Sequence, residues 1–518
     1  MVDSNKYCPR VPGSEEEGHM SRAFGQQSAS VVYEPYEHGG ADEDQSAHSV
    51  RAWLRRVNEI GELKVVTGVD WQESIGRVTE MLHHTDDSPA VIFDQIPGFE
   101  PGNRILVNSL ATRPRLALTL GLDPAIGTFE LMDEWERLIN EAEPLPLETV
   151  SSAPITENVL EGDDIDLYAF PTPLWHPEDG GRYIGTGCGV VTKDRDSSWV
   201  NLGTYRVMIQ DERRTSLYIS PSKHGMVHRS SYFDVGEPMP VVILVGLAPV
   251  QFLASALEIP HGVNELEWVG GVIGEPVEAI KGSHTGLPIP AHAEIAIEGF
   301  LHPNQTELEG PFGEWTGYYA SQSRQEPVLE VKAIYHRNDP LMLGCPPEKP
   351  PYEAQRFQQY LRSANLRRQI RGAGVPNVVA AWTHAVGGCR LFNVVSIKQS
   401  HAGHARQAMY VAAQCHQGNY LGRVVVVVDE DIDVTDLNEV IWAVCTRMDP
   451  ERDTDIIRRA LTGALDPAIE PGKKVFNSRL LIDATRPWEW RDQFPAAIGP
   501  TPEVKRETRD EWGWILRA

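Results

Sequence analysis

Apolar residues change their rhythm along the chain, and each rhythm predicts a different layer of structure. Near the start, Val50, Trp53, Leu54 and Val57 fall on one face at helical spacing, which predicts a helix beginning near Ser46. A second helix fits Trp71 to His84, two strand-like runs follow at Ala90–Ile96 and Arg104–Leu110, and Thr128–Ala142 is again amphipathic. From about Tyr183 to His336 the period falls to two, in short runs separated by Gly and Pro: Gly187–Thr192, Tyr205–Gln210, Ser216–Ser220, Val241–Gly246, Glu294–Leu301 and Val328–Tyr335. Regularly spaced short strands predict a barrel or sandwich. Beyond about Pro350 strands and helices alternate: Leu391–Ile397, His404–Cys415, the valine run Arg423–Asp429, and Leu437–Arg447. That order predicts an α/β layer, and the valine run suits a strand covered on both faces.

The fold class expected is therefore α+β and multidomain. A flexible arm (1–44) precedes an N-terminal α+β domain (45–150), a β-rich region (151–345), an α/β region (346–500) and a C-terminal helix or tail (501–518). The stretch 144–164, rich in Pro, Ser and acid, is expected as a linker or long connection. A chain of 518 residues exceeds the roughly 250–300 at which a single core stops growing.

Composition narrows the function. Lys and Arg total 47 against 73 Asp and Glu, a formal charge of −26. Such a surface argues against nucleic acid and anionic membranes as partners. It also means that any phosphate or carboxylate ligand needs local positive charge from Arg, Lys or a metal. The cysteines, at 8, 188, 345, 389, 415 and 445, form no CxxC pair. A disulfide framework or thiolate zinc site is not expected, and a reducing compartment fits. With no apolar signal core and no run near the roughly 18 apolar residues of a membrane span, a cytoplasmic protein is expected.

Candidate chemistry concentrates in the β-rich region. Asn201 opens a strand and Arg206 lies five residues on, so a turn or bulge is needed for both to serve one pocket. His224 sits just past a strand, after Lys223. Glu265 and Glu267 are separated by two, so on a strand one faces inward and the other outward. The strongest segment is Glu307-Leu-Glu309-Gly-Pro-Phe-Gly-Glu314-Trp315, two carboxylates flanking a stiff apolar turn. A carboxyl beside an apolar ring has a raised pKa, as a proton donor near neutral pH requires. Asn201, His224 and one of the two glutamates form an oxygen and nitrogen ligand set without sulfur, suited to Mg²⁺ or Mn²⁺. Arg206 with Glu309 and Glu314 forms a second set, a permanent cation between two acids.

Together these motifs resemble the UbiD family of reversible decarboxylases. The likeness spans about 45 to 515 and rests on Gly180-Gly-Arg-Tyr-Ile-Gly-Thr186, Asn201…Arg206, His224, Ser255-Ala-Leu-Glu-Ile-Pro, Asn264-Glu265 and Glu309-Gly-Pro-Phe-Gly-Glu314, with Asp429-Glu-Asp-Ile-Asp433 and Ile482-Asp-Ala-Thr485 beyond. The resemblance implies a split-barrel central domain that binds prenylated FMN, and a C-terminal oligomerisation domain giving a homodimer or homohexamer. It places the metal triad on Asn201, His224 and Glu265, holding Mn²⁺ or Mg²⁺, with K⁺ close to Trp199. It places cofactor-lining positions on Thr186, Thr204, Tyr205, Lys223 and Ser255, alongside Arg206, His224 and Glu265, and a catalytic network on Glu309, Arg206 and Glu314. The implied reaction is non-oxidative loss of CO₂ from an aromatic or heteroaromatic acid through a covalent adduct with the cofactor. Arg206 then orients the carboxylate, Glu314 donates the proton, and a flavin prenyltransferase supplies the cofactor. Lys223, Trp315 and the polar stretch Pro350–Gln359 depart from the family pattern and bear on the substrate. Trp315 points to a flat polycyclic acid such as phenazine-1-carboxylate; hydroxybenzoate- or acrylate-type acids are the alternatives. A split-barrel FMN oxidoreductase and an accessory carboxylase subunit are the competing functions.

Overall fold

The computed structural model describes residues 33–34, 45–463, 465–470, 476–500 and 502–516. Of the flexible arm expected over 1–44, Tyr33–Glu34 form a short strand antiparallel to Val65–Val66. The rest of that expectation falls outside the described residues.

The first helix is Val50–Glu59. Ser49 caps it by accepting from the Ala52 N–H, and it buries the four apolar residues that predicted it. Helices Ser74–His83 and Thr128–Glu141 follow. They accompany a five-stranded sheet in the order Tyr33–Glu34, Leu63–Thr67, Ala90–Asp94, Arg104–Val107, Leu341–Gly344. Its last strand comes from the far end of the β-rich region, with Leu343 parallel to Leu106.

Pro288–Pro290 and Glu278–Lys281 join Glu148–Thr149 in a separate three-stranded sheet, while most strands of the β-rich region form a nine-stranded one. Its spine is the long antiparallel hairpin Ile295–Glu309 and Arg324–His336, in which Glu309 lies opposite Arg324. One flank carries Arg214–Tyr218, Arg206–Asp211 and Tyr183–Gly185; the other carries Met239–Val245, Cys188–Lys193 and Val200–Gly203. The stretch 144–164, expected as a linker or long connection, is mostly irregular but contributes two short strands. Glu148–Thr149 runs parallel to Glu278–Ala279, and Asn158–Glu161 pairs with Ala333–His336. Its composition signals irregularity, but its backbone donors and acceptors still find partners.

The last region holds a five-stranded sheet in the order Val378–Thr383, Phe392–Ile397, Val424–Asp429, Phe476–Ala484, Thr454–Leu461. The three middle strands are parallel, and Val425–Val428 is buried, as a strand between covering layers must be. A helix the apolar pattern did not predict, Glu353–Gly372, joins this region to the others. Its polar residues enter the interior because they are paired. Glu353 Oε1 accepts from Ser109 Oγ (2.5 Å) and the Leu110 N–H (2.8 Å), while Gln355 Nε2 donates to the Trp315 carbonyl (2.9 Å). No helix among the described residues is long and apolar enough to cross a membrane.

Candidate active site

Arg206 sits between Glu309 and Glu314. Its Nη1 donates to Glu314 Oε1 at 2.5 Å and its Nη2 to Glu309 Oε2 at 2.8 Å. Strand Val200–Gly203 stops before Arg206 opens the next one, and the break at Thr204–Tyr205 carries the chain from one flank of the sheet to the other. Glu309 ends the long hairpin strand, and Glu314 lies just past the apolar turn. Tyr183 donates its hydroxyl to Glu309 Oε1 at 2.8 Å. The guanidinium also lies against the rings of Tyr218 and Phe312, 4.6 and 5.6 Å from their centroids. The group is nearly closed off: 9% of the Arg206 side chain is exposed, and 1% and 9% of Glu309 and Glu314.

Burial pushes the Glu314 carboxyl above its ordinary range, although Arg206 and the Ser321 hydroxyl pull the other way. Burial also works against the charge on Arg206, but Glu314 and Glu309 outweigh it and hold the guanidinium above its ordinary value. Arg324 reaches the same group, its Nε 4.0 Å from Glu309 Oε2 and 2.9 Å from Glu326 Oε1. Burial favours the protonated form of Glu314. The arrangement can orient an incoming carboxylate and deliver a proton.

The second set also converges, by a local structure different from the one expected. Glu265 and Glu267 are not on a strand. Asn264 caps the helix Glu265–Ile273 by accepting from the Leu266 N–H, and Glu265 is its first residue. His224 likewise opens a helix, His224–Phe233. Glu265 Oε2 accepts from the Leu202 N–H at 2.7 Å, while its Oε1 faces His224 Nδ1 at 3.9 Å. Asn201, 2% exposed, precedes Leu202 and donates to Tyr205 Oη (3.2 Å), which accepts in turn from the Gly225 N–H (3.0 Å). Tyr205 thus ties the Asn201 strand to the His224 helix. Trp199 packs edge-on to His224, with ring centroids 5.0 Å apart. Among the described residues no three His, Cys, Asp or Glu side chains gather as a metal cage.

The remaining expected positions border these sets. Thr204 meets Ser255 through both hydroxyls (2.7 Å) and through its N–H to the Ser255 carbonyl (3.0 Å). Thr186 Oγ1 accepts from the Cys345 N–H at 3.1 Å. Lys223 belongs to a cationic cluster that the sequence did not disclose. Glu258 lies 3.6 Å from Arg362 and 3.3 Å from Arg390. Burial would raise the Glu258 carboxyl, but Arg362, Arg390 and Lys223 together bring it down to about 2. Three cations against one acid supply local positive charge in a chain of strongly negative total charge. Tyr183, Ser321, Arg362 and Arg390 were missed. Tyr183 stood inside a quoted motif, but the two arginines come from the C-terminal region, and nothing in their local sequence marks them.

Trp315 does not stand free beside Glu314. Its ring rests on Gly388 of the C-terminal region, whose φ is +64° and where an added Cβ would lie 2.3 Å from the ring.

Comparison with known proteins agrees with this architecture. Residues 54–135 match the N-terminal domain, 148–350 the Rift-related domain and 355–484 the C-terminal domain of 3-octaprenyl-4-hydroxybenzoate carboxy-lyase, UbiD. Pyrrole-2-carboxylic acid decarboxylase of Pseudomonas aeruginosa is 29% identical over 490 residues, covering 90% of this chain and 98% of its own. The UbiD-class enzyme HmfF of Pelotomaculum thermopropionicum, solved with FMN, superposes with a TM-score of 0.80 at 28% identity, covering 90% of this chain and 100% of that one. An evolved dimeric form of HmfF, solved with prenylated FMN, gives 0.76 at 27% identity, with 90% and 100% covered. The chain belongs to the UbiD family of carboxy-lyases.

Proposed function

We propose that this enzyme removes CO₂ from an aromatic or heteroaromatic carboxylic acid with the help of prenylated FMN. The observation that carries the proposal is the guanidinium of Arg206 held at 2.8 and 2.5 Å between Glu309 and Glu314. The nine-stranded sheet is taken as the split barrel that receives the flavin, with Thr186, Thr204, Tyr205 and Ser255 along it.

The residues present fit a metal-anchored phosphate. The Asn201 amide nitrogen is engaged by Thr192 and Tyr205, which leaves its carbonyl oxygen as the ligating atom. The His224 nitrogen and the free Glu265 oxygen complete a nitrogen and oxygen donor set for Mn²⁺ or Mg²⁺. K⁺ beside Trp199 belongs to the same proposal. Lys223, Arg362 and Arg390 stand ready to meet a phosphate. When bound, prenylated FMN supplies the electron sink that decarboxylation needs.

The protein's own contribution follows from charge and burial. Arg206 cannot give up its proton, so it fixes the substrate carboxylate by charge and hydrogen bonds. Closure of the site excludes water and strengthens those contacts. Glu314, whose burial favours the protonated form, then passes its proton from the carboxyl oxygen to the carbon that has lost CO₂. Arg206 steadies the carboxylate left behind, and Glu309 holds Arg206 in place.

The substrate is proposed at the level of class. Trp315 argued for a polycyclic acid, but that ring is occupied by Gly388, so single-ring acids such as pyrrole-2-carboxylate and hydroxybenzoates rank beside phenazine-1-carboxylate. The chain is to be produced with a flavin prenyltransferase, as a homodimer or homohexamer assembled through its C-terminal domain, and CO₂ release followed over this panel. Turnover of at least one acid is expected. Glu314→Gln should lower it by at least about 100-fold with the flavin spectrum unchanged. A Gln variant that still turns over would remove Glu314 as the donor. Oxidation of NAD(P)H without CO₂ release would instead favour the oxidoreductase alternative.

A further inference from the structure

A second acid and base pair lies behind the proton donor, outside the set that touches substrate. His176 and Asp179 sit on the loop that precedes Tyr183–Gly185. Asp179 Oδ2 accepts from both the His176 N–H (3.1 Å) and His176 Nδ1 (2.9 Å). Its other oxygen, Oδ1, accepts from the Gly313 N–H at 3.1 Å. Gly313 immediately precedes Glu314. One residue further along the loop, the Gly180 N–H donates to the Pro311 carbonyl at 2.8 Å. The loop therefore holds the Gly-Pro-Phe-Gly turn from both sides of Phe312.

Ring contacts close the same clamp. His176 meets Phe312 edge-on at 5.8 Å and Tyr319 at 6.5 Å. An added Cβ at Gly313 would lie 2.9 Å from the His176 ring, so that ring is seated directly on the backbone of the turn. Phe312 in turn stacks at 3.9 Å on Tyr183, which donates to Glu309. The Asp179 side chain is wholly buried, and His176 Nε2 is buried with no hydrogen-bond partner. A charge so placed acts through a fixed structure and not through solvent.

We infer that His176 and Asp179 are positioning residues for proton delivery, setting the Gly313–Glu314 backbone so that the Glu314 carboxyl meets Arg206 and the reacting carbon. This rests on the decarboxylase reading above. The groups facing His176 are Asp179, then Glu348 and Glu80 at longer range, with the Tyr319 phenol at its ring. Burial works against the imidazolium, but Asp179 outweighs it and holds His176 above its ordinary value. The imidazolium side of the pair is lost as pH rises through the raised His176 value.

Three variants, Asp179→Ala, Asp179→Asn and His176→Gln, test this in the holoenzyme made with the prenyltransferase. Two readouts are used: hydrogen–deuterium exchange of the 310–319 segment, and the pH dependence of kcat for the best acid of the panel. Asp179→Ala should deprotect 310–319 while other segments stay as they are, and lower kcat on the order of 10- to 100-fold with KM nearly constant. Asp179→Asn keeps an oxygen for the Gly313 N–H, so protection should survive, but the alkaline limb of kcat should move to lower pH. His176→Gln should abolish that limb's dependence on the pair. Unchanged exchange at 310–319 in Asp179→Ala, or pH profiles that superimpose on wild type in all three variants, would overturn the inference. If wild type releases no CO₂ from any acid, the decarboxylase reading fails on its own, and the exchange readout still decides whether Asp179 holds the turn.

Discussion

Ser321 offers the finest test of what tunes Glu314, the proposed proton donor. Its hydroxyl donates to Glu314 Oε1 at 3.3 Å, a contact that favours the ionised carboxylate. Burial keeps Glu314 above its ordinary range, and Ser321 opposes that shift. Ser321→Ala should therefore raise the Glu314 value further. Because delivery needs the protonated acid, the alkaline limb of kcat should move to higher pH, with little change in flavin content. A limb that stays put or moves the other way would show that Glu314 does not set it. Arg206 answers to a different balance. Arg206→Ala leaves Glu314 buried without its paired cation and Glu309 with only Arg324, 4.0 Å away, and losing one partner of a buried ion pair costs about 3–5 kcal/mol. Thermal unfolding should show that loss at pH 8. It should shrink as pH falls, because protonating the stranded carboxylates relieves them. A variant equally destabilised at pH 8 and pH 5 would argue against stranded carboxylate charge as the cause.

At the level of elements, what could be read beforehand depended on how much each segment announces locally. Val50, Trp53, Leu54 and Val57 share one helix face, and the helix formed where they lay. The paired acids around Gly-Pro-Phe-Gly announced a turn, and Arg206 joins them there because strand pairing sets Tyr218 beside Arg206. Glu265 was misplaced because a spacing of two fits a strand, whereas the signal that decided was Asn264 as a cap. Helix Glu353–Gly372 went unseen because Glu353, Gln355, Arg362 and Arg367 are buried within it. A helix that buries paired polar residues shows no apolar stripe. The cap carries a consequence for function. Asn264→Ala removes the acceptor for the Leu266 N–H (3.0 Å) and should cost about 1 kcal/mol. More tellingly, it loosens the first residue of the helix, Glu265. The ratio of bound flavin to protein should fall while the chain remains folded. A variant that is less stable but retains its full flavin would separate the cap from the proposed metal site.

Across the whole molecule, the chemistry is assembled from regions far apart in sequence. The donor turn belongs to the central sheet, yet Trp315, next to Glu314, gives its carbonyl to Gln355 and its ring to Gly388. The C-terminal region is thereby in direct contact with Trp315, the residue beside the proposed proton donor Glu314. Gly388 is where this contact can be tested. Its φ of +64° is unfavourable for a residue with a side chain, and a Cβ there would lie 2.3 Å from Trp315 Cζ3. Gly388→Ala should cost about 1–3 kcal/mol from the two causes together, and should lower kcat by moving Trp315 and with it Glu314. The causes separate in a double-mutant cycle. With Trp315→Ala the ring is gone and only the backbone cost remains, so adding Gly388→Ala should cost no more than about 1–2 kcal/mol and should not lower kcat further. Strictly additive effects on both stability and kcat would mean that Gly388 and Trp315 act independently, and that the C-terminal region does not reach the donor through this contact.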